Sequence, residues 1–391
     1  MKILLTHRYY WPDTAPYALM LRIIAQHFSS KGHDVNVFAS KVSYRDMQNA
    51  DDTSEADKKI KVHRTWVFNE STRNPLIRIL NVIIYCVTLC LHILRTKPDV
   101  VTASTFPPVI AAWFASWASR IVGAKFIYHM MDIHPEVSEY SGGLLGRRLP
   151  AKILRAMDNQ TLKRSFAIVV LSNDMGTTLK ARSIGELPIH VISNFMLDST
   201  MDVAPPAELV KQSGKIRVIF AGNLGRYQNL DLLVEGVAKC FPDYPNLELL
   251  LLGDGILLPS LKRKWEHHSQ VKFGPFLPFA QARSLIRDAD IGVISLSSNI
   301  YKVASPSKTQ TYLGLSLPVM LMVEAKSELA KTVENNNLGS VVANIDPEGV
   351  SLALKKHIDC PFDRNNISEW YEDNVSSAVA LSKFSKLLQE R

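Results

Sequence analysis

The strongest constraint on this chain is a pattern that each half repeats: a short apolar run, a helical stretch, then another apolar run. The first instance is an apolar run at 2–6, a helix from about 15 to 30 stopped at Lys31-Gly32, and a second run at 33–39. Strands that are apolar on both faces need cover on both faces, which a parallel sheet with crossover helices supplies. The rhythm continues with a strand near 60–67, a helix over 79–94, a strand at 100–103, a helix over 109–122 and a strand at 125–129. A basic helix near 148–164 and strands at 166–171 and 189–192 follow. A polar, proline-bearing stretch interrupts the pattern at 199–214, and it restarts at 216–220. It then runs through 247–252, 271–273, 291–295, 319–322 and 340–342. The prediction is an α/β chain of two doubly wound domains, 1–198 and 215–374, joined by a linker at 199–214. The last segment, 375–391, reads as a helix able to pack back on the first domain.

Composition narrows the class. With 391 residues, 47% hydrophobic and 21% charged, the chain is neither disordered, collagen-like nor a disulfide scaffold. Its four cysteines (Cys86, Cys90, Cys240, Cys360) form no Cys-x-x-Cys pair and stand apart from any histidine cluster. They read as reduced core thiols of a cytoplasmic protein, with no zinc site. The net charge of +8 is uneven: residues 1–200 hold 24 Lys and Arg against 16 Asp and Glu, and residues 201–391 hold 21 of each. A basic first half attracts phosphate-bearing partners such as nucleic acid, anionic lipid or a diphosphate-linked substrate, or it simply keeps the protein soluble. The opening apolar run is too short for a signal peptide. The apolar 79–94 would reach about 24 Å as a helix, against roughly 30 Å of hydrocarbon. Asn81, Thr88 and His92 also interrupt it, so it reads as a packed or interfacial helix.

Ligands of open α/β sheets sit beyond the carboxyl ends of the strands, so the loops that follow strands matter most. After 216–220 comes Ala221-Gly222-Asn223-Leu224-Gly225-Arg226-Tyr227-Gln228-Asn229, leading into a helix. Gly222 and Gly225 permit close backbone approach, the helix start offers free N–H groups, and Arg226 brings a forked cation suited to phosphate. The same residues also describe a tight turn with a solvated arginine. Neither a P-loop nor a complete dinucleotide fingerprint is present. Gly253-Asp254-Gly255 and Gly274-Pro275-Phe276 follow the next two strands, and together they can line a flat slot for a nucleobase. Ser305-Pro306-Ser307-Lys308-Thr309-Gln310-Thr311-Tyr312 opens another helix. A lysine in a first turn opposes the helix dipole unless an anion is near. In isolation it is also an ordinary exposed lysine.

These segments, in this order, together with Ala-Asp-Ile-Gly-Val at 289–293 and Pro-Val at 318–319, resemble glycosyltransferase family four. The N-terminal Trp-Pro-Asp and Gly-His-Asp-Val, and Asp132-Ile133-His134-Pro135-Glu136, fit the branch that builds bacterial O-antigen, capsule, lipopolysaccharide and exopolysaccharide. The resemblance covers nearly the whole chain. It implies a GT-B fold of two Rossmann-like domains and retaining, metal-independent sugar transfer from a nucleotide-sugar, a UDP-sugar by family frequency. No cofactor and no metal are expected. By the resemblance, Arg226 and Lys308 hold the donor diphosphate and neutralise the leaving charge. Gly222, Asn223, Gly225, Gln228, Gly253, Gly255, Ser307 and Thr311 line the donor site, with Gly274, Pro275 and Phe276 at the base. Asp132 and His134 position the acceptor or the donor sugar, although His134 also suits a buried structural role. The partners expected are a nucleotide-sugar, a lipid-diphosphate-linked saccharide and an anionic membrane surface, and not nucleic acid. The location expected is cytoplasmic, peripheral on the inner face of the plasma membrane.

The chain departs from the family pattern at several points. The family's Glu-x7-Glu element falls on Val303 and Thr311, so the ribose-binding carboxylate is replaced by a hydroxyl. Gly314-Leu315-Ser316-Leu317 replaces the usual Ala-x-Gly, and Ala15-Pro16 replaces paired glycines in the first loop. Two alternatives therefore stand beside the transferase: a non-catalytic or partner-dependent subunit of the same fold, and a sugar-nucleotide epimerase.

Overall fold

The computed structural model describes residues 1–13, 15–41, 55–68, 75–140, 142–197 and 203–390. Residues 199–202 of the expected linker lie outside this set. The chain divides into two compact units, Met1–Ser193 with Val303–Ser305 and the chain from Leu381, and Asn194–Lys302 with Pro306–Ala380.

The first unit holds β1 (Lys2–Thr6), β2 (Asp34–Ser40), β3 (Lys61–Thr65), β4 (Val100–Ser104), β5 (Lys125–His129), β6 (Ala167–Val170) and β7 (Ile189–Val191), paired in parallel in the order β3-β2-β1-β4-β5-β6-β7. The second holds β8 (Ile216–Ala221), β9 (Leu247–Leu252), β10 (Val271–Gly274), β11 (Ile291–Ser295), β12 (Val319–Met322) and β13 (Gly339–Val341), in the order β10-β9-β8-β11-β12-β13. In both sheets the chain order reverses beside the first strand, which opens a crevice at the carboxyl ends. The α/β, doubly wound reading therefore holds in each unit, and the fold is GT-B.

Local sequence accounts for the elements. The helix Pro16–Ser30 starts on a proline, which has no N–H to leave unsatisfied, and buries Ala18, Leu21, Ile24, Ala25 and Phe28 at helical spacing. Gly123 takes a left-handed conformation, φ 75°, to close the helix Ile110–Val122. The apolar 79–94 forms the middle of a longer helix, Pro75–Thr96. Those 22 residues are long and apolar enough to cross a membrane by length and composition. What holds the helix to the protein is packing, since Tyr85, Cys86, Leu89 and Ile93 are buried in the core over the sheet. The shortness inferred from sequence is not the reason. In the last helix, Ser377–Gln389, Phe384 and Leu388 face Leu21, Ile24 and Phe28 of the first unit.

Candidate functional site

In the second unit, the loops after β8, β9 and β10 lie backbone against backbone. Gly222 N donates to Leu252 O at 2.8 Å, Leu224 N to Asp254 O at 2.8 Å, and Gly253 N to Gly274 O at 3.1 Å. Gly222 and Gly253 both have positive φ, 128° and 138°, and a Cβ on Gly253 would collide with the Gly222 carbonyl. Gly225 N donates to Gln228 Oε1 at 2.8 Å, which folds the loop back before the helix Leu230–Ala238 begins. Asn223 and Arg226 are exposed on this loop, and Arg226 has no hydrogen bond or ion pair among the described residues.

The helix Lys308–Gly314 brings its first residue onto the same loop. A Cβ built on Gly222 would lie 3.0 Å from Lys308 Cε and 3.3 Å from Nζ. The amine stands 4.3 Å from the Phe220 ring centroid, and no carboxylate among the described residues pairs with it. Burial pushes its pKa down to about 8. A half-buried lysine without a counter-charge beside half-buried glycine backbone is a site prepared for an anion. Ser307 is exposed, Thr311 is half-buried one turn further on, and Phe276 and Pro275 are exposed after β10. The second unit thus brings together the expected donor residues Gly222, Asn223, Gly225, Arg226, Gln228, Gly253, Gly255, Gly274, Pro275, Phe276, Ser307, Lys308 and Thr311 on the strand-end side of one sheet.

Asp132 and His134 belong to the first unit, just past β5. Asp132 is half-buried, pairs through its backbone with Ala304, and its carboxyl makes no hydrogen bond among the described residues. Burial pushes its pKa up to about 6. Burial pushes His134 down to about 4, against a smaller opposing effect of Glu136, so its ring is neutral near pH 7. Its Nδ1 is buried without a partner.

Some residues that shape the site, Arg182 and Ser295 among them, lie outside the motifs read from the sequence, and others inside those motifs take roles that only the structure shows. Arg182 donates to the His134 carbonyl at 3.0 Å and pairs with Glu136 at 2.7 Å and Asp158 at 2.6 Å, holding the Asp132–Glu136 segment in place. Burial works to raise the Glu136 pKa, but Arg182 and then Arg155 outweigh it and hold the carboxyl below the usual range. The Tyr312 hydroxyl accepts from Ala221 N at 2.9 Å, fixing the start of the glycine loop. Ser295 Oγ, Thr309 Oγ1 and Gln310 Oε1 are buried without partners, and such atoms call for a ligand or water. Val303 is fully buried among Met130 and Ile133, so a carboxylate there would be desolvated and unpaired.

Residues 18–194 match the model of a glycosyl transferase 4-like domain. The chain is 21% identical over 302 residues to the probable glycosyltransferase WbjE of Pseudomonas aeruginosa, covering 74% of each protein. Among solved structures, it is similar to Anabaena HepE in complex with UDP, at a TM-score of 0.70 and 14% identity over 100% of both chains. It is also similar to the lipopolysaccharide outer core galactosyltransferase WaaB, at a TM-score of 0.63 and 14% identity over 99% of both.

Proposed function

We propose that this chain, a GT-B glycosyltransferase carrying a glycosyl transferase 4-like domain over residues 18–194, moves a sugar from a UDP-sugar to a lipid-diphosphate-linked saccharide at the inner face of the plasma membrane. The step serves bacterial surface polysaccharide synthesis, of O-antigen, capsule or lipopolysaccharide type, and proceeds with retention and without a metal.

The observation that carries this reading is Lys308, desolvated and unpaired, with its amine against Gly222. When the bond from the sugar to the diphosphate breaks, its electron pair passes to the phosphate oxygen. Protonated Lys308 and the Arg226 fork neutralise that charge, and both stand ready before the donor arrives. The acceptor hydroxyl attacks from the departing side and gives its proton to the leaving phosphate. Asp132 and His134 are assigned to hydroxyls of the acceptor or of the donor sugar. UDP as the nucleotide is supported by the HepE complex, and a saccharide acceptor by the lipopolysaccharide outer core galactosyltransferase WaaB.

The test is thermal stability with UDP, GDP and ADP, on wild type and Arg226→Ala. A ligand at 100 times its dissociation constant adds about 2.7 kcal/mol. A shift with UDP that the variant loses supports the assignment. No shift with any nucleotide overturns it, and a converted sugar formed from donor alone would make the protein an epimerase.

A further inference from the structure

The helix Pro75–Thr96 is apolar on both long faces, and the protein covers one of them. Opposite the buried Tyr85, Cys86, Leu89 and Ile93, a stripe of Leu76, Ile79, Leu80, Ile83, Val87 and Leu91 is exposed, with Ile79 58% and Ile83 53% accessible. Spacings of three and four residues make this a continuous ridge, where a helix facing water would carry polar side chains. Trp66 and Phe68, exposed and in edge contact at 4.4 Å, lie just upstream. The helices Ile110–Val122 and Arg148–Arg164 contribute to the same core cluster. They expose Trp117 and Ile121, and Leu149 and Ile153.

The charge on these three helices has one sign. Arg78, Arg95, Arg120, Arg148, Lys152 and Lys163 are exposed, whereas the one acidic residue in them, Asp158, is fully buried against Arg182. Next to Leu91, a groove of about 280 Å³ lined by His63, Arg64, His92 and Arg95 opens at the edge of the ridge, with Arg95 as its exposed cation.

The geometry points to a docking surface for an anionic lipid bilayer, with the helix Pro75–Thr96 lying in the interfacial plane. This deepens the membrane location proposed above and rests on it. Spanning is excluded by the core face: Asn81 also holds the Phe68 backbone through bonds of 2.8 and 2.9 Å, and a spanning helix would pull Tyr85 and Leu89 from the core. A second copy docked face to face would set arginine against arginine. An anionic surface satisfies the apolar ridge and its basic surround together.

Flotation of the full chain with vesicles of phosphatidylcholine, alone and mixed with phosphatidylglycerol, tests the surface. Wild type should float with the anionic vesicles and dissociate as salt rises. Ile79→Asp with Ile83→Asp, and separately Leu149→Asp with Ile153→Asp, should each partition about tenfold more weakly. All four positions are exposed, so circular dichroism should be unchanged. Absent wild-type flotation, or equal flotation of both variants, overturns the proposal. So does a wild-type dimer that the variants convert to monomer without vesicle binding. UDP-induced stabilisation, read on the same samples, separates the two readings: its loss counts against the donor site, and loss of flotation against this surface.

Discussion

Replacing Lys308 with methionine should make the ligand-free protein more stable at pH 7 while removing its response to UDP. Burial has lowered the Lys308 pKa from the ordinary 10.5 to about 8. The unfolded chain therefore binds this proton more readily than the folded one. At about 1.36 kcal/mol per pH unit, keeping the lysine charged in the fold costs about 3 kcal/mol. That cost is fully present below pH 8 and fades as pH rises toward 10.5. Methionine keeps an unbranched stem against Phe220 and carries no charge to desolvate. The expected gain is thus up to about 3 kcal/mol at pH 7 and under about 1 kcal/mol at pH 10. Urea unfolding at both values, with and without UDP, measures it. Because the chain has two units, the transition to follow is the one UDP shifts in wild type. A variant less stable than wild type at pH 7, or a gain unchanged at pH 10, would refute the desolvation argument. A variant that UDP still stabilises would refute the phosphate role.

Thr311→Glu should tighten UDP binding in calorimetry, because Thr311 follows Lys308 by one turn and its hydroxyl has no partner among the described residues. Unchanged or weaker binding would place the ribose elsewhere. Arg182→Leu should cost about 3–5 kcal/mol in thermal melting, since it strands Asp158 as a buried charge and leaves Glu136 with Arg155 alone. A loss under about 1 kcal/mol would mean those carboxyls are not carrying charge. If the ionised Asp132 carboxyl is needed, the transfer rate should fall as pH drops through about 6, where it takes up a proton. Asp132→Asn should lack that limb, and a limb that persists would assign it to another group.

The strand and helix rhythm was legible because it depends on neighbours in sequence. Apolar runs at 2–6, 125–129, 247–252, 291–295 and 319–322 appear in the structure with those same bounds. The glycine loops were legible for the same reason, since a glycine just after an apolar run marks backbone that must turn or be approached closely. The family pattern added the order of the segments. It also exposed the departures at Val303 and Thr311, of which packing explains the first: Val303 sits in an apolar cluster with Met130 and Ile133. By itself, then, the sequence determined two parallel sheets, their loops and the residue types at the strand ends. Tertiary structure decided the electrostatic state of those residues. Lys308 read as a diphosphate ligand or an exposed cation, with no sign of the burial that Gly222 and Phe220 impose on it, and Asp132 read as a sugar-positioning group, with no sign of the burial that raises its pKa. Arg182 carried no signal because its partners, Glu136 and Asp158, come from separate helices. Hydrophobic periodicity is local, whereas the cost of a charge depends on what distant chain segments place around it.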